Sequence, residues 1–411
     1  MADKTTAGST EQRTGSSVKD AVGRSAVLGA VFLMATSAIG PGFLTQTATF
    51  TAELGAAFAC AILISVVVDI AVQMNVWRVI GVSGLRAHEL GNKVLPGAGY
   101  VLAGLVVLGG FIFNIGNVAG SGLGTNALLG LEPRVGGAIS AAIAIGIFLS
   151  HRAGVALDRV VVVLGVLMIV AALVIAFTSS PPVGEALRST VAPDTFSFIA
   201  TTTIIGGTVG GYITYAGAHR LVDSGRTGVE HVRDVARSSV VSILVTGVMR
   251  VLLFLAILGV VAGGAALADD NPAGSAFEQA AGAAGLRVFG VVLWAAALTS
   301  VIGAAYTSVS FLTTQRTAPR TRNLLTVGFI AVSALTFVVI EKAPAQLLVF
   351  AGTFNGLILP IGFTVLLWAA WRRRDLLHGY RYPGWLLGVG VLAWLLTLYL
   401  GYNAVLGLGK L

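Results

Sequence analysis

Apolar stretches of about 20 residues, each long enough to cross a bilayer as a helix, recur along the whole of this 411-residue chain. Hydrophobic residues make up 56% of the sequence and charged residues 11%, against roughly 25% charged in a soluble domain. Too few polar residues remain to cover one large soluble core. The chain therefore reads as an all-α polytopic membrane protein with about eleven transmembrane helices, at roughly 26–52, 56–80, 98–119, 135–150, 160–178, 198–218, 238–264, 286–312, 323–340, 346–370 and 384–406. The fourth is short. Connections are brief, which leaves one transmembrane domain over 26–411 and no soluble module. Residues 1–25 are polar and Ser/Thr-rich, with acids among the bases, and read as a disordered cytoplasmic tail.

The formal net charge of +8 could suggest a nucleic-acid partner, but the distribution of the bases excludes it. With the N-terminus placed in the cytoplasm, the cytoplasmic tail and loops hold 20 Lys or Arg residues and the outer loops hold 5. That is the positive-inside bias. It predicts a multi-pass protein of the bacterial inner membrane, with its N-terminus cytoplasmic and its C-terminus outside. The run Arg372, Arg373 and Arg374 reads as the flank of a span, with anionic lipid as its other partner. The single Cys60 lies within an apolar run and reads as a small buried hydrophobe; no disulfide can form within one chain.

Two spans contain helix breakers where a membrane helix should be most regular. Residues 37–50 read SAIGPGFLTQTATF, and residues 201–220 read TTTIIGGTVGGYITYAGAHR. The glycines of the second stretch also fit a close-packing pattern. Pro41 does not, because proline removes a backbone donor and clashes with the preceding turn. The stretches fall in the first and sixth spans, at corresponding positions of two halves, repeat one at about 26–178 and repeat two at about 198–370, with an extra span at about 384–406. Interrupted spans at matching positions point to a secondary transporter with inverted repeats. Hydrocarbon tolerates broken backbone only where it lines a cavity or binds something.

LGAVFLMATSAIGPGF (28–43) resembles the first span of the NRAMP family of divalent-metal transporters, where a similar run leads into Asp-Pro-Gly-Asn. Gly206 to Tyr212 lines up with the family's sixth-span Gly-Ala-Thr-Val-Met-Pro-His, and NIGNVAGSGLGTNALLG (114–130) resembles its third span. The resemblance covers most of the chain. It implies a LeuT-type 5+5 inverted repeat with discontinuous first and sixth spans, alternating access, and a substrate site between those spans. Against the family pattern, Gly40 replaces the metal-coordinating Asp, Phe43 the Asn and Gly210 the Met. Tyr212 stands for the His, and Asn114 and Asn117 for the acidic pair associated with proton movement. About four extra residues separate Phe43 from Gly55.

A dehydrated first-row divalent ion needs anionic or strongly donating ligands, and glycine and phenylalanine supply none. No metal-ligand set and no cofactor are expected. What remains is the pair of half-helix N-termini near Phe43 and near Tyr212, each with unpaired N–H groups and roughly half a positive charge. Such ends suit an anion, especially a carboxylate. The expected substrate-binding residues are Gly40, Pro41, Gly42, Phe43, Thr45, Gln46, Thr47, Thr208, Gly210, Gly211, Tyr212 and Tyr215. Thr49, Thr51 and Thr214 offer further hydroxyls. The expected cargo is a small organic acid or amino-acid-like solute, the alternative a Mg or Mn type divalent cation, and the coupling ion H⁺ or Na⁺.

Charge at mid-membrane is expensive and normally pairs or faces water. Asp69 in the second span and Arg250 in the seventh are therefore expected to pair, with either a structural or a coupling role. Asn114, Asn117 and Asn355 either line a path or lock helices together. His219 reads as an interfacial residue beside Arg220. Nothing resembles a nucleophile triad, a phosphate loop or a metal-enzyme cluster, so the chain does not read as an enzyme.

Overall fold

Proline starts several of the helices, and glycine ends several, mostly others. The computed structural model describes residues 38–314, 316–340 and 342–408; the expected tail, residues 26–37 of the first span, and Lys410 lie outside the described residues. Ala38 is helical and Ile39 and Gly40 are not, after which α1 (Pro41–Leu54) begins with Pro41 in its first turn. There the missing N–H is one that no helix could have satisfied. A single 3₁₀ turn, Gly55–Ala57, joins α1 to α2 (Phe58–Ser83). Then follow α3 (Ala87–Val94), α4 (Ala98–Leu129), α5 (Pro133–Leu149), α6 (His151–Thr178) and α7 (Val183–Val191). The sixth expected span is two pieces, α8 (Phe198–Val209) and α9 (Ile213–Asp223). The chain continues through α10 (Val232–Ala262), α11 (Pro272–Leu312), α12 (Pro319–Val339), α13 (Pro344–Arg372) and α14 (Gly384–Leu408).

Among the described residues seven helices are long and apolar enough to cross a membrane. An eighth candidate is Val163–Thr178 with Val183–Val191, bent by 108°. The helix α5, at 17 residues, is short as expected. The brief connections expected after the second and fifth spans instead contain the helices α3 and α7. α11 spans 41 residues but is interrupted at Gly282, whose φ of 63° no helix accepts.

Lipid tails are as apolar as leucine, so packing and hydrogen bonds hold such helices together. α4 runs through the middle of the bundle against α5, α11 and α13. Pro41 rests on Gly120 of α4, where any Cβ would overlap the proline ring. Gly206 of α8 likewise meets the Gly352 and Gly356 backbone of α13. Buried side chains then cross between helices. The Trp77 indole donates to the Thr214 carbonyl at 3.0 Å. Asn75 donates to the carbonyls of Ala71 and Leu386. Cys60 is only partly buried, which corrects the buried-hydrophobe expectation.

Candidate functional site

Both breaks are backbone features before they are binding features. At the first, Gly40 is extended (φ −95°, ψ −173°) and α1 starts at the next residue. At the second, α8 stops at Gly210 (φ −75°, ψ 161°), Gly211 takes φ +52°, and α9 begins after Tyr212. Only glycine adopts that left-handed conformation without penalty. Its lack of a side chain matters too, because a Cβ on Gly211 would overlap Asn355 Oδ1.

The surroundings of the first break are polar and uncharged. A Cβ on Gly40 would lie 2.6 Å from Ser300 Oγ and 3.8 Å from Asn117 Oδ1. The Tyr212 hydroxyl faces Asn117, and its ring packs edge-on against Phe113 at 5.7 Å. Asn117 Nδ2 and the Tyr212 hydroxyl are buried without a well-formed hydrogen bond. Buried donors and acceptors are almost always satisfied, so these atoms are open to a polar group of a ligand or to water. Gly42 meets Phe113 and Gln46. Gln46 is wedged between Gly207 and Gly352 and donates to the Leu348 carbonyl at 2.9 Å, its Oε1 unpartnered.

The charged centre of the site lies on the other side of Phe43. The Arg250 guanidinium sits 4.3 Å from the Phe43 ring centroid. Its Nη1 donates to Thr208 Oγ1 at 3.0 Å and, at longer range, to the Ile204 carbonyl and to Ser65 Oγ. Arg250 thus touches the first turn of α1 and the last turn of α8 together. Its Nε and Nη2 have no partner, although the residue is only 2% exposed. Asp69 lies close by, its Oδ2 accepting from Ser65 Oγ at 2.9 Å and its Oδ1 unpartnered.

Asp69 and Arg250, expected to pair, act on each other electrostatically, though no ion pair within 4.0 Å joins them among the described residues. Ser65 bridges them, its hydroxyl accepting from Arg250 Nη1 at 3.5 Å and donating to Asp69 Oδ2 at 2.9 Å. The Thr208 hydroxyl accepts from Arg250 and donates to the Ile204 carbonyl at 2.8 Å.

Not every expected residue joins this centre. Thr47 and Thr51 donate to the carbonyls of Phe43 and Thr47 at 2.7 and 2.6 Å, as membrane threonines commonly do. Thr45 is buried and Thr49 only partly so. Thr214 donates to Gln73 Oε1 at 2.8 Å. Tyr215 packs on Phe311 at 5.1 Å and against Gly362, one turn beyond the break. Gly210 has the Gly206 carbonyl 2.5 Å from where a Cβ would stand. Asn114 donates to Ser333 Oγ at 3.2 Å, and Asn355 to the carbonyls of Gly109 and Ala351. Both amides lock helices.

A second polar cluster closes the basic end of the bundle. Arg86, fully buried, donates to Asp223 at 2.6 Å and to the carbonyls of Ser310 and Thr313. Tyr306 donates to the other Asp223 oxygen at 2.7 Å, and Arg322 lies 3.4 Å from it. His219 belongs here, fully buried, which corrects the interfacial expectation. Its Nε2 accepts from the Ala87 N–H at 3.1 Å, so Nδ1 carries the proton toward Ser310 Oγ at 2.7 Å. Outside the spans, burial holds the nearby His88 imidazole below its usual pKa. Arg86 and Asp223 are 137 residues apart, and nothing in the sequence pairs them. The Ser65–Asp69 contact, by contrast, was open to the i, i+4 rule.

A family model described as natural resistance-associated macrophage protein-like, Nramp, matches residues 31–407. The chain belongs to the Nramp family. Nramp proteins are multi-pass membrane transporters, not enzymes, and the expected class of fold and function holds. The chain is 51% identical over 393 residues to the uncharacterized membrane protein YcsG of Bacillus subtilis, covering 95% of this chain and 96% of that one. A membrane protein of Haemophilus influenzae is 54% identical over 361 residues, covering 88% and 90%. In fold, this Nramp chain resembles a manganese transporter of Eremococcus coleocola solved with an aromatic bis-isothiourea compound, at a TM-score of 0.72 and 17% identity over 94% of this chain and 86% of that one. It also resembles MhsT in complex with L-phenylalanine, at 0.68 and 16% over 91% and 98%. The LeuT-type fold stands on these likenesses.

Proposed function

We propose that this Nramp chain is a secondary transporter that moves a small organic acid or amino-acid-like solute across the bacterial inner membrane by alternating access. The N-terminus would lie in the cytoplasm, and the halves at about 26–178 and 198–370 would be the repeats that exchange roles. One observation carries the substrate reading. A buried guanidinium with unpartnered N–H groups stands against Phe43 at the break, and carboxylates are absent from the residues lining Gly40.

Such a site is built for an anion. A carboxylate would accept from Arg250 Nε and Nη2, the geometry in which guanidinium binds carboxylate best. The N-terminal N–H groups of α1 would add dipolar attraction, and Asn117 and Tyr212 would engage the rest of the solute. A cation entering the same space would meet a fixed positive charge. Asp69 is the group through which a coupled H⁺ or Na⁺ would act, because its free oxygen lies on the same bridged network as Arg250.

The second reading, a divalent cation, has the fold neighbours on its side, since one of them is a manganese transporter. Another was solved with L-phenylalanine, so the fold itself serves both. The donor set supports the first reading. Among the described residues no group of three His, Cys, Asp or Glu side chains could hold a metal ion.

Calorimetric titration of the purified protein tests the proposal. Short-chain carboxylates, their uncharged amides, Mn²⁺ and Mg²⁺ are compared. Saturable binding of a carboxylate, weakened in its amide and absent for both metals, is the expected result. Saturable Mn²⁺ binding without carboxylate binding would replace this proposal with the second reading.

A further inference from the structure

Between α13 and α14 lies a groove of about 360 Å³, within the roughly 300–1,000 Å³ of ordinary ligand pockets. None of its lining residues belongs to the broken helices. Its walls are Leu367, Trp368 and Trp371 on one side and Leu387, Val391 and Trp394 on the other. Its two hydrogen-bonding floor groups satisfy each other, the Trp394 indole donating to Thr364 Oγ1 at 2.8 Å. What remains is a hydrocarbon surface. Trp368 and Trp371 are 48% and 53% exposed, so nothing in the described chain covers it.

Along each helix the lining runs over eight residues, 364–371 and 387–394, about 10 Å at 1.5 Å rise per residue. That is about two thirds of one hydrocarbon leaflet. The groove ends at the basic side, where Arg372 stacks at 4.0 Å on the Trp371 ring. Arg373 is turned away, bonded to Asp375 and to the Lys93 carbonyl. Arg372, Arg374 and Arg381 are exposed, with no carboxylate within 4.0 Å among the described residues. An apolar trough thus leads to cations that have no acidic partner, with tryptophan, the residue favoured at the membrane interface, between them.

We infer that this groove binds one anionic glycerophospholipid, an acyl chain lying along Trp368, Trp371 and Val391 and the phosphate held by Arg372 and Arg374. Basic residues at a membrane surface each favour anionic lipid by about fivefold, and the apolar trough fixes where that lipid sits. A zwitterionic lipid would fill the trough without using the arginines.

Native mass spectrometry of the delipidated full-length protein tests this, with phosphatidylglycerol and phosphatidylcholine of identical acyl chains as probes. One phosphatidylglycerol is expected to be retained at concentrations where phosphatidylcholine is lost. R372Q and R374Q, both on exposed side chains that leave the fold intact, should each lower phosphatidylglycerol retention about fivefold. V391F, which fills the trough, should displace both lipids while leaving the melting temperature unchanged. Equal retention of the two lipids, or selectivity that survives both arginine substitutions, overturns the inference. So does a dimer that shields Trp368 and Trp371 with no lipid retained.

Discussion

The Arg250 guanidinium lies over the Phe43 ring, 4.3 Å from its centroid, at the place where the first membrane helix restarts. A buried cation on an aromatic face gains about 2 kcal/mol when desolvated. The contact also sets the guanidinium, whose Nε and Nη2 lack a hydrogen-bond partner, against the third residue after Gly40. In the family pattern the position of Phe43 carries a metal ligand; here it carries a platform for a positive charge.

Replacing Arg250 should therefore damage recognition first. Hydrogen bonds to a charged group contribute about 1.5–3 kcal/mol, so Arg250→Gln is expected to weaken carboxylate binding roughly 10- to 150-fold. Arg250→Lys keeps the charge without the fork and should recover only part of it. The difference between a carboxylate and its amide, measured by titration, should disappear in Arg250→Gln.

Asp69 and Arg250 should be energetically coupled despite having no direct contact. Removing one member of a buried charge pair costs about 3–5 kcal/mol, because the other is left uncompensated. Asp69→Asn and Arg250→Gln should each destabilise strongly, and the double variant should be less destabilised than their sum. Thermal unfolding in detergent reads that cycle. Additive effects would mean that the Ser65 bridge carries no coupling. Asp69→Asn should also abolish the dependence of transport on the driving ion gradient, read as uptake with and without an imposed gradient.

The second break depends on Gly211 twice, through its φ of +52° and through the Asn355 amide in its Cβ space. Gly211→Ala is expected to cost about 1–2 kcal/mol from the backbone conformation and about 1–3 kcal/mol from overpacking. Adding Asn355→Ala should restore the overpacking part only. Melting temperatures of the single and double variants separate the two contributions.

Much of this was legible in the sequence. Pro41 between two glycines marks the first break, because proline removes a backbone donor and clashes with the preceding turn just where glycine already weakens the helix; Gly210 and Gly211 mark the second. The depth of Asp69 and Arg250 within their spans made them neighbours in expectation. What stayed hidden depends on side-chain placement across long separations. Ser65 as the bridge, Thr208 as a partner of Arg250, the stacking of Arg250 on Phe43, and the burial of His219 against Ser310 all require knowing how far each helix is rotated. Thr47 and Thr51 misled in the opposite direction: a ladder of threonines looks like a binding surface, but their hydroxyls close on the preceding turn.

The Arg86–Asp223 contact, 2.6 Å with the Arg86 side chain buried and that of Asp223 15% exposed, ties α3 to the end of α9 and, through Tyr306, to α11. It closes the basic side of the bundle. Asp223→Asn should loosen this closure and raise access to buried positions above it. With Cys60 replaced by Ala, a cysteine introduced at Ser308 should react faster with a membrane-impermeant thiol reagent from the basic side in the Asp223→Asn background. An unchanged rate would show that the cluster is structural and does not gate.

Uptake into proteoliposomes, comparing labelled short-chain carboxylates with Mn²⁺ in the wild type and in Arg250→Gln, tests the central claim most directly. The account predicts saturable carboxylate uptake that Arg250→Gln abolishes, with Mn²⁺ entering no faster than into empty liposomes. Saturable Mn²⁺ uptake that Arg250→Gln leaves intact or increases, without carboxylate uptake, would contradict it.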